Sequence, residues 1–96
     1  MEFLVRAENN LPADTPAEER DRLRTAERKV AGELREAGIL KRLWRLPGRN
    51  SWLGLFECPD ATELHDALSS LPLFPWLDIQ VQALATHPVE ASRAAS

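Results

Sequence analysis

The sequence predicts an α+β fold: four strands in one antiparallel sheet, with two helices packed on one of its faces. Three observations carry this expectation. Apolar residues recur at three- and four-residue steps in two segments and alternate in four others, which separates helices from strands. The segments follow one another in the order β-α-β-β-α-β. The two central strands are joined by Pro47-Gly48, a pair suited to a tight turn because proline presets φ and glycine accepts positive φ.

The elements can be justified in order. Residues 2–8 alternate, with Phe3, Val5 and Ala7 on one face and Glu2, Leu4, Arg6 and Glu8 on the other, giving a half-buried strand. Thr15-Pro16-Ala17-Glu18 reads as a helix start, with a threonine cap, proline at the first helical position and glutamate completing a capping box. Leu23, Ala26, Val30, Leu34 and Ala37 form the apolar stripe of that helix, and Gly38 supplies a left-handed C-terminal cap. Ile39 to Leu46 reads as a second strand, with Ile39, Lys41, Leu43 and Arg45 on one face and Leu40, Arg42, Trp44 and Leu46 on the other. A third strand, about Asn50 to Cys58, runs back with two apolar faces, so both need cover. Asp60 caps a second helix whose stripe is Leu64, Ala67, Leu68 and Leu71, and Pro72 stops it. Ile79, Val81, Ala83 and Ala85 alternate in a fourth strand that closes near His87-Pro88.

With right-handed crossovers this order gives the ferredoxin-like arrangement. One domain is expected over residues 1–88, followed by a flexible tail over 89–96. Two helices cover one sheet face only. Trp44, Trp52 and Phe56 are more apolar bulk than an open face tolerates, so a homo-oligomer is expected to form through it, with packing of some of these rings against the helices as the alternative.

Composition narrows the function classes. A hydrophobic content of 44% suits a packed core over disorder. A net charge of -3 without a basic patch argues against nucleic acid as a partner. A single cysteine excludes an intrachain disulfide and fits a reducing cytoplasm, and no run is long enough to span a membrane. His65 and His87 lie far apart without further ligands, so no metal site is expected.

Glu27 stands out because it interrupts the apolar stripe of the first helix. A carboxylate aimed at an apolar interior is costly unless paired or protonated, and burial raises its pKa toward that of a base useful at neutral pH. An ion pair with Arg24 or with a basic residue from a strand is the structural alternative.

The stretch from Glu63 to Val81, with Leu64-His65-Asp66, Leu71-Pro72-Leu73-Phe74-Pro75 and Asp78-Ile79-Gln80-Val81, resembles the muconolactone Δ-isomerase family. Leu11-Pro12, Glu27, Leu43-Trp44-Arg45, Gly48, Phe56 and His87-Pro88 extend the resemblance along nearly the whole chain. It implies a ferredoxin-like subunit, a large ring-like homo-oligomer (a decamer in the family's pattern) and a cytoplasmic role in aromatic catabolism through β-ketoadipate. It also implies an enzyme without a cofactor, which shifts one proton in muconolactone to give an enol-lactone. Where the family carries histidine or tyrosine, this chain has Leu4, Arg42, Arg49, Asn50 and Leu53, and it contains no tyrosine.

Such a reaction needs one base, for which Glu27 is the candidate. It also needs a cation or hydrogen-bond donors near the carbonyl oxygen and a cation for the substrate carboxylate. Arg45 and Arg42 are the candidates, on opposite strand faces, so at most one should enter a given pocket. Trp44, Trp52, Phe74 and Trp76 are candidates for pocket walls, with packing as the alternative for each. Two other readings remain open at this point: a non-catalytic ligand-binding or assembly module on the same scaffold, and a divergent chloromuconolactone dehalogenase or cyclase.

Overall fold

The computed structural model describes the backbone of residues 1–95 and the side chains of residues 1–91. Its elements are β1 (Glu2–Asn9), α1 (Ala17–Glu36), β2 (Leu40–Arg45), β3 (Ser51–Glu57), α2 (Ala61–Ser69), a 3₁₀ turn (Phe74–Trp76), β4 (Leu77–Leu84) and α3 (Pro88–Ala95). The four strands form one antiparallel sheet in the order β2-β3-β1-β4, with both helices of the expected pattern against one face.

Register explains which residues enter the core. Phe3 pairs with Phe56, Val5 with Gly54 and Ala7 with Trp52, so these alternate residues share the helix-side face. Phe3, Val5 and Phe56 pack with Leu64, Leu68 and Leu71 of the second crossover, and Val30, Ala31 and Leu34 of α1 close over them. Phe56 is 1% exposed. Trp52 and Phe56 therefore belong to the helix-side layer, and only Trp44 of the three large rings lies on the opposite face. The expectation that all three crowd the open face is corrected: the register of β3 against β1 puts Trp52, Gly54 and Phe56 together on the core side.

A second correction concerns β2. A bulge between Leu40 and Arg42 breaks the simple alternation. It sets Leu40 on the same face as Leu43 and Arg45, so Leu40 is buried against Phe56 while Lys41 drops out of the pairing.

The caps are mostly as the sequence implies. Gly38 takes φ +77°, and its N–H and that of Ile39 donate to the carbonyls of Arg35 and Leu34, completing a Schellman close to α1. Gly48 takes φ +74° in the β2–β3 turn. Asp60 accepts from the Glu63 N–H at 2.9 Å. Thr15 differs: its hydroxyl donates to the Pro12 carbonyl at 2.6 Å, and Pro16 occupies the cap position of α1 without a side-chain bond. At the C-terminus Pro88 begins α3, and the His87 ring nitrogen accepts from the Val89 N–H at 3.1 Å.

Cover on the helix-side face is incomplete on the outer strands. Leu43 on β2 and Val81 on β4 lie on the helix-side face by register, yet each is 45% exposed. The bare stretch beside β2 is what opens the site.

Candidate active site

A cleft of about 440 Å³ lies between α1 and the β2 end of the sheet. Its floor is Leu40, Trp52 and Phe56. Gly54 makes that floor possible: a Cβ there would stand 2.8 Å from the Phe56 ring and 3.2 Å from the Trp52 ring. One wall is the α1 face carrying Arg24, Glu27, Arg28, Ala31 and Leu34, spaced at three and four residues. Leu71, Leu73 and Leu77, from the segment between α2 and β4, form the other wall. Leu43, Trp44, Arg45, Asn9, Asn50 and Ser51 border the opening. The volume suits a small ligand.

Glu27 is half-buried in this cleft, and its Oε1 accepts a hydrogen bond from the Leu73 backbone N–H at 3.0 Å. Burial raises its pKa above the ordinary 4.5, and the Leu73 hydrogen bond, which favours the ionised form, opposes part of that rise. Neither Arg24 nor a strand cation pairs with it, so the ion-pair alternative is not what the fold adopts. The Leu73 N–H is free to donate because Pro72 ends α2 and the chain turns into the 3₁₀ segment, whose own bonds begin at Phe74.

The remaining sequence candidates divide. Arg45, Trp52 and Trp44 border the cleft. Trp44 pairs with Leu53 in register, and the Arg42 guanidinium sits 5.2 Å from the centre of its ring. Arg42 is thereby held on the opposite sheet face, outside the cleft. Phe74 packs on the core and meets the His65 ring edge-on at 6.1 Å, while Trp76 borders a separate depression with Leu11, Pro12 and Leu23. Neither lines the cleft. Cys58 is buried, and burial together with the nearby carboxylates of Glu63 and Glu57 pushes its thiol up, away from nucleophile chemistry.

Arg28, Asn9 and Ser51 line the cleft without being among the sequence candidates, and Asn50, one of the positions where the chain departs from the family, lines it too. Arg28 was legible in principle, since it follows Glu27 and lies four residues after Arg24. Asn9 was not, because it meets Asn50 only through strand pairing: the Asn9 N–H donates to the Asn50 carbonyl at 2.9 Å, and the Asn50 side chain returns a bond to the Asn9 carbonyl at 3.3 Å. The Ser51 hydroxyl is buried without a hydrogen-bond partner among the described residues. Those residues contain no group of three or more histidine, cysteine or acidic side chains placed to hold a metal ion, and no helix long and apolar enough to cross a membrane.

Fold and cleft together define a ferredoxin-like domain with a half-buried carboxylate of raised pKa in an apolar, arginine-bordered pocket. A family model described as muconolactone delta-isomerase matches residues 1–90. Muconolactone Delta-isomerase 2 of Acinetobacter lwoffii is 40% identical over 87 residues, covering 91% of each chain, and the Pseudomonas aeruginosa muconolactone Delta-isomerase is 38% identical over 88 residues, covering 92% of each. The crystal structure of a muconolactone isomerase at 3.3 Å resolution superposes with a TM-score of 0.87 at 36% identity, covering 92% of both chains. The chain belongs to the muconolactone Δ-isomerase family.

Proposed function

We propose that this protein is a muconolactone Δ-isomerase of aromatic catabolism in which Glu27 carries one proton between two carbons of the lactone ring. The observation that carries the reading is the Glu27 carboxylate: half-buried, raised in pKa and fixed by the Leu73 N–H in a cleft of ligand size.

The chemistry balances within the substrate. Glu27 removes the proton from the γ-carbon, which bears the ring oxygen and the carboxymethyl arm. The released electron pair forms the β,γ double bond, the former α,β pair forms a double bond from the α-carbon to the carbonyl carbon, and the carbonyl π pair moves onto oxygen, giving a dienolate. When that charge returns, the α-carbon takes the proton back from Glu27. A single group on one face of the ring performs both transfers, so its pKa must lie near that of the task. Arg45 and Asn50 at the opening supply donors for the dienolate oxygen, and the Trp52 floor keeps water from the carbanionic carbons.

The subunit acts in the cytoplasm as a homo-oligomer. Support for assembly comes from two uncovered edge strands and from Leu43, Trp44, Val81 and Leu84, all at least 39% exposed.

Assay of purified protein with muconolactone tests the reading. Turnover is expected in the wild type, and Glu27→Gln is expected to lower kcat roughly 100- to 10,000-fold while the circular dichroism spectrum stays unchanged. Full activity in Glu27→Gln would remove Glu27 from the mechanism. Binding of muconolactone without turnover by the wild type would favour a binding module, and chloride release from chloromuconolactone would favour a dehalogenase.

A further inference from the structure

We propose that Arg24 and Arg28 together form the carboxylate subsite of the cleft, and so select a lactone bearing an ionised side arm over its neutral analogues. This inference rests on the isomerase reading but assigns a part of the site that the reaction itself leaves open. The proton shift needs a base and a polarised carbonyl; it does not say what holds the substrate's carboxymethyl group.

Three guanidinium groups (Arg24, Arg28 and Arg45) and one carboxylate, Glu27, line the cleft of a chain whose net charge is -3. The cleft is thus locally cationic in an acidic protein. Arg24 and Arg28 stand four residues apart on α1, so they project from one helix face on either side of Glu27 in sequence. Like charges at that spacing repel. Both are exposed, and neither makes an ion pair or hydrogen bond among the described residues, although Arg22 on the far side of the same helix pairs with Glu19 at 2.6 Å. Arg28 has no acidic residue three or four positions away on either side. An uncompensated cationic pair beside an apolar floor is a ready site for one carboxylate, which the planar forks of arginine grip in a fixed orientation.

The division of labour follows from placement. Arg45 stands across the cleft on β2, where it can meet the carbonyl oxygen; Arg24 and Arg28 share the wall of the base. A carboxylate held beside Glu27 sets the γ-carbon, one bond from the carboxymethyl arm, next to the group that must deprotonate it. Arg24 and Arg28 are therefore positioning residues whose loss acts on binding.

The test is the Arg24→Gln/Arg28→Gln double variant, assayed with muconolactone and with its methyl ester, with binding of the saturated lactone acid followed by calorimetry. The double variant is expected to raise KM for muconolactone about 10- to 100-fold with kcat changed less than about threefold, and to lose the wild type's preference for acid over ester. Arg24→Lys/Arg28→Lys is expected to restore part of the preference, and Arg35→Gln, away from the cleft, none of the effect. An unchanged acid-to-ester ratio in the double variant overturns the proposal. So does a ratio that collapses in Arg45→Gln instead. If the wild type does not isomerise muconolactone but binds the saturated acid through Arg24 and Arg28, the isomerase reading fails while the subsite stands. If it does neither, both fall.

Discussion

Glu27 shows how a fold stores reactivity in a single side chain. Its pKa is raised by burial, so the folded state holds the proton more tightly than the unfolded chain does. Between the ordinary value of 4.5 and the raised folded value, the native state therefore binds more protons, and stability falls as pH rises through that window. The ionised form, which the proposed proton shuttle requires, is the less stable one. Glu27→Gln keeps an oxygen for the Leu73 N–H without the charge, so it is expected to melt no lower than wild type at neutral pH and to flatten the dependence of Tm on pH above 4.5. A variant that melts well below wild type at pH 7, with the same pH slope, would contradict this account. At the same scale, Arg45→Gln is expected to lower kcat roughly 100-fold, because it removes the proposed donor to the developing oxyanion while leaving the proposed base; steady-state kinetics with muconolactone measures it.

At the scale of elements, two glycines separate conformation from space. Gly38 holds φ +77° with nothing within 4 Å of where a Cβ would stand, so Gly38→Ala strains the close of α1 without a clash. A loss of about 1 kcal/mol is expected, seen as a Tm lower by about 4–8 °C with kinetics unchanged. Gly54 has an ordinary φ but a ring 2.8 Å from its absent Cβ. Gly54→Ala must move Phe56 or Trp52, at a cost of about 1–3 kcal/mol, and because both rings floor the cleft, KM is expected to rise with it. The elements themselves were legible in sequence, since alternation, three-and-four spacing and the Gly38, Pro47-Gly48 and Asp60 signals are local. What local pattern cannot carry is pairing. The bulge at Lys41 set which side of β2 faces the helices, and the register of β3 against β1 drew Trp52 and Phe56 inward. Hence Glu27 is legible from its own helix, whereas Phe74, Trp76 and Arg42 lie outside the cleft and Arg28 and Asn9 lie within it.

The whole molecule leaves its edges unfinished. The helices cover the central strands, and the apolar residues left bare are on the outer ones: Leu43 and Trp44 on β2, Val81 and Leu84 on β4. Association hides such edges and adds the stability that a small domain lacks. Sedimentation of the wild type is expected to give a multiple of the 10.8 kDa chain, and Val81→Lys/Leu84→Lys, which charges one edge away from the cleft, is expected to shift it toward smaller species. A wild type sedimenting as a monomer would overturn the assembly proposal without touching the cleft.

The proton-shuttle claim meets its most direct test in a titration of the Glu27 carboxyl, followed by ¹³C NMR and set against the acid limb of kcat/KM for muconolactone. Glu27 is expected to titrate above 4.5, and the kinetic limb to follow the same pKa. A Glu27 that titrates at or below 4.5, with a kinetic limb elsewhere, would show that another group moves the proton.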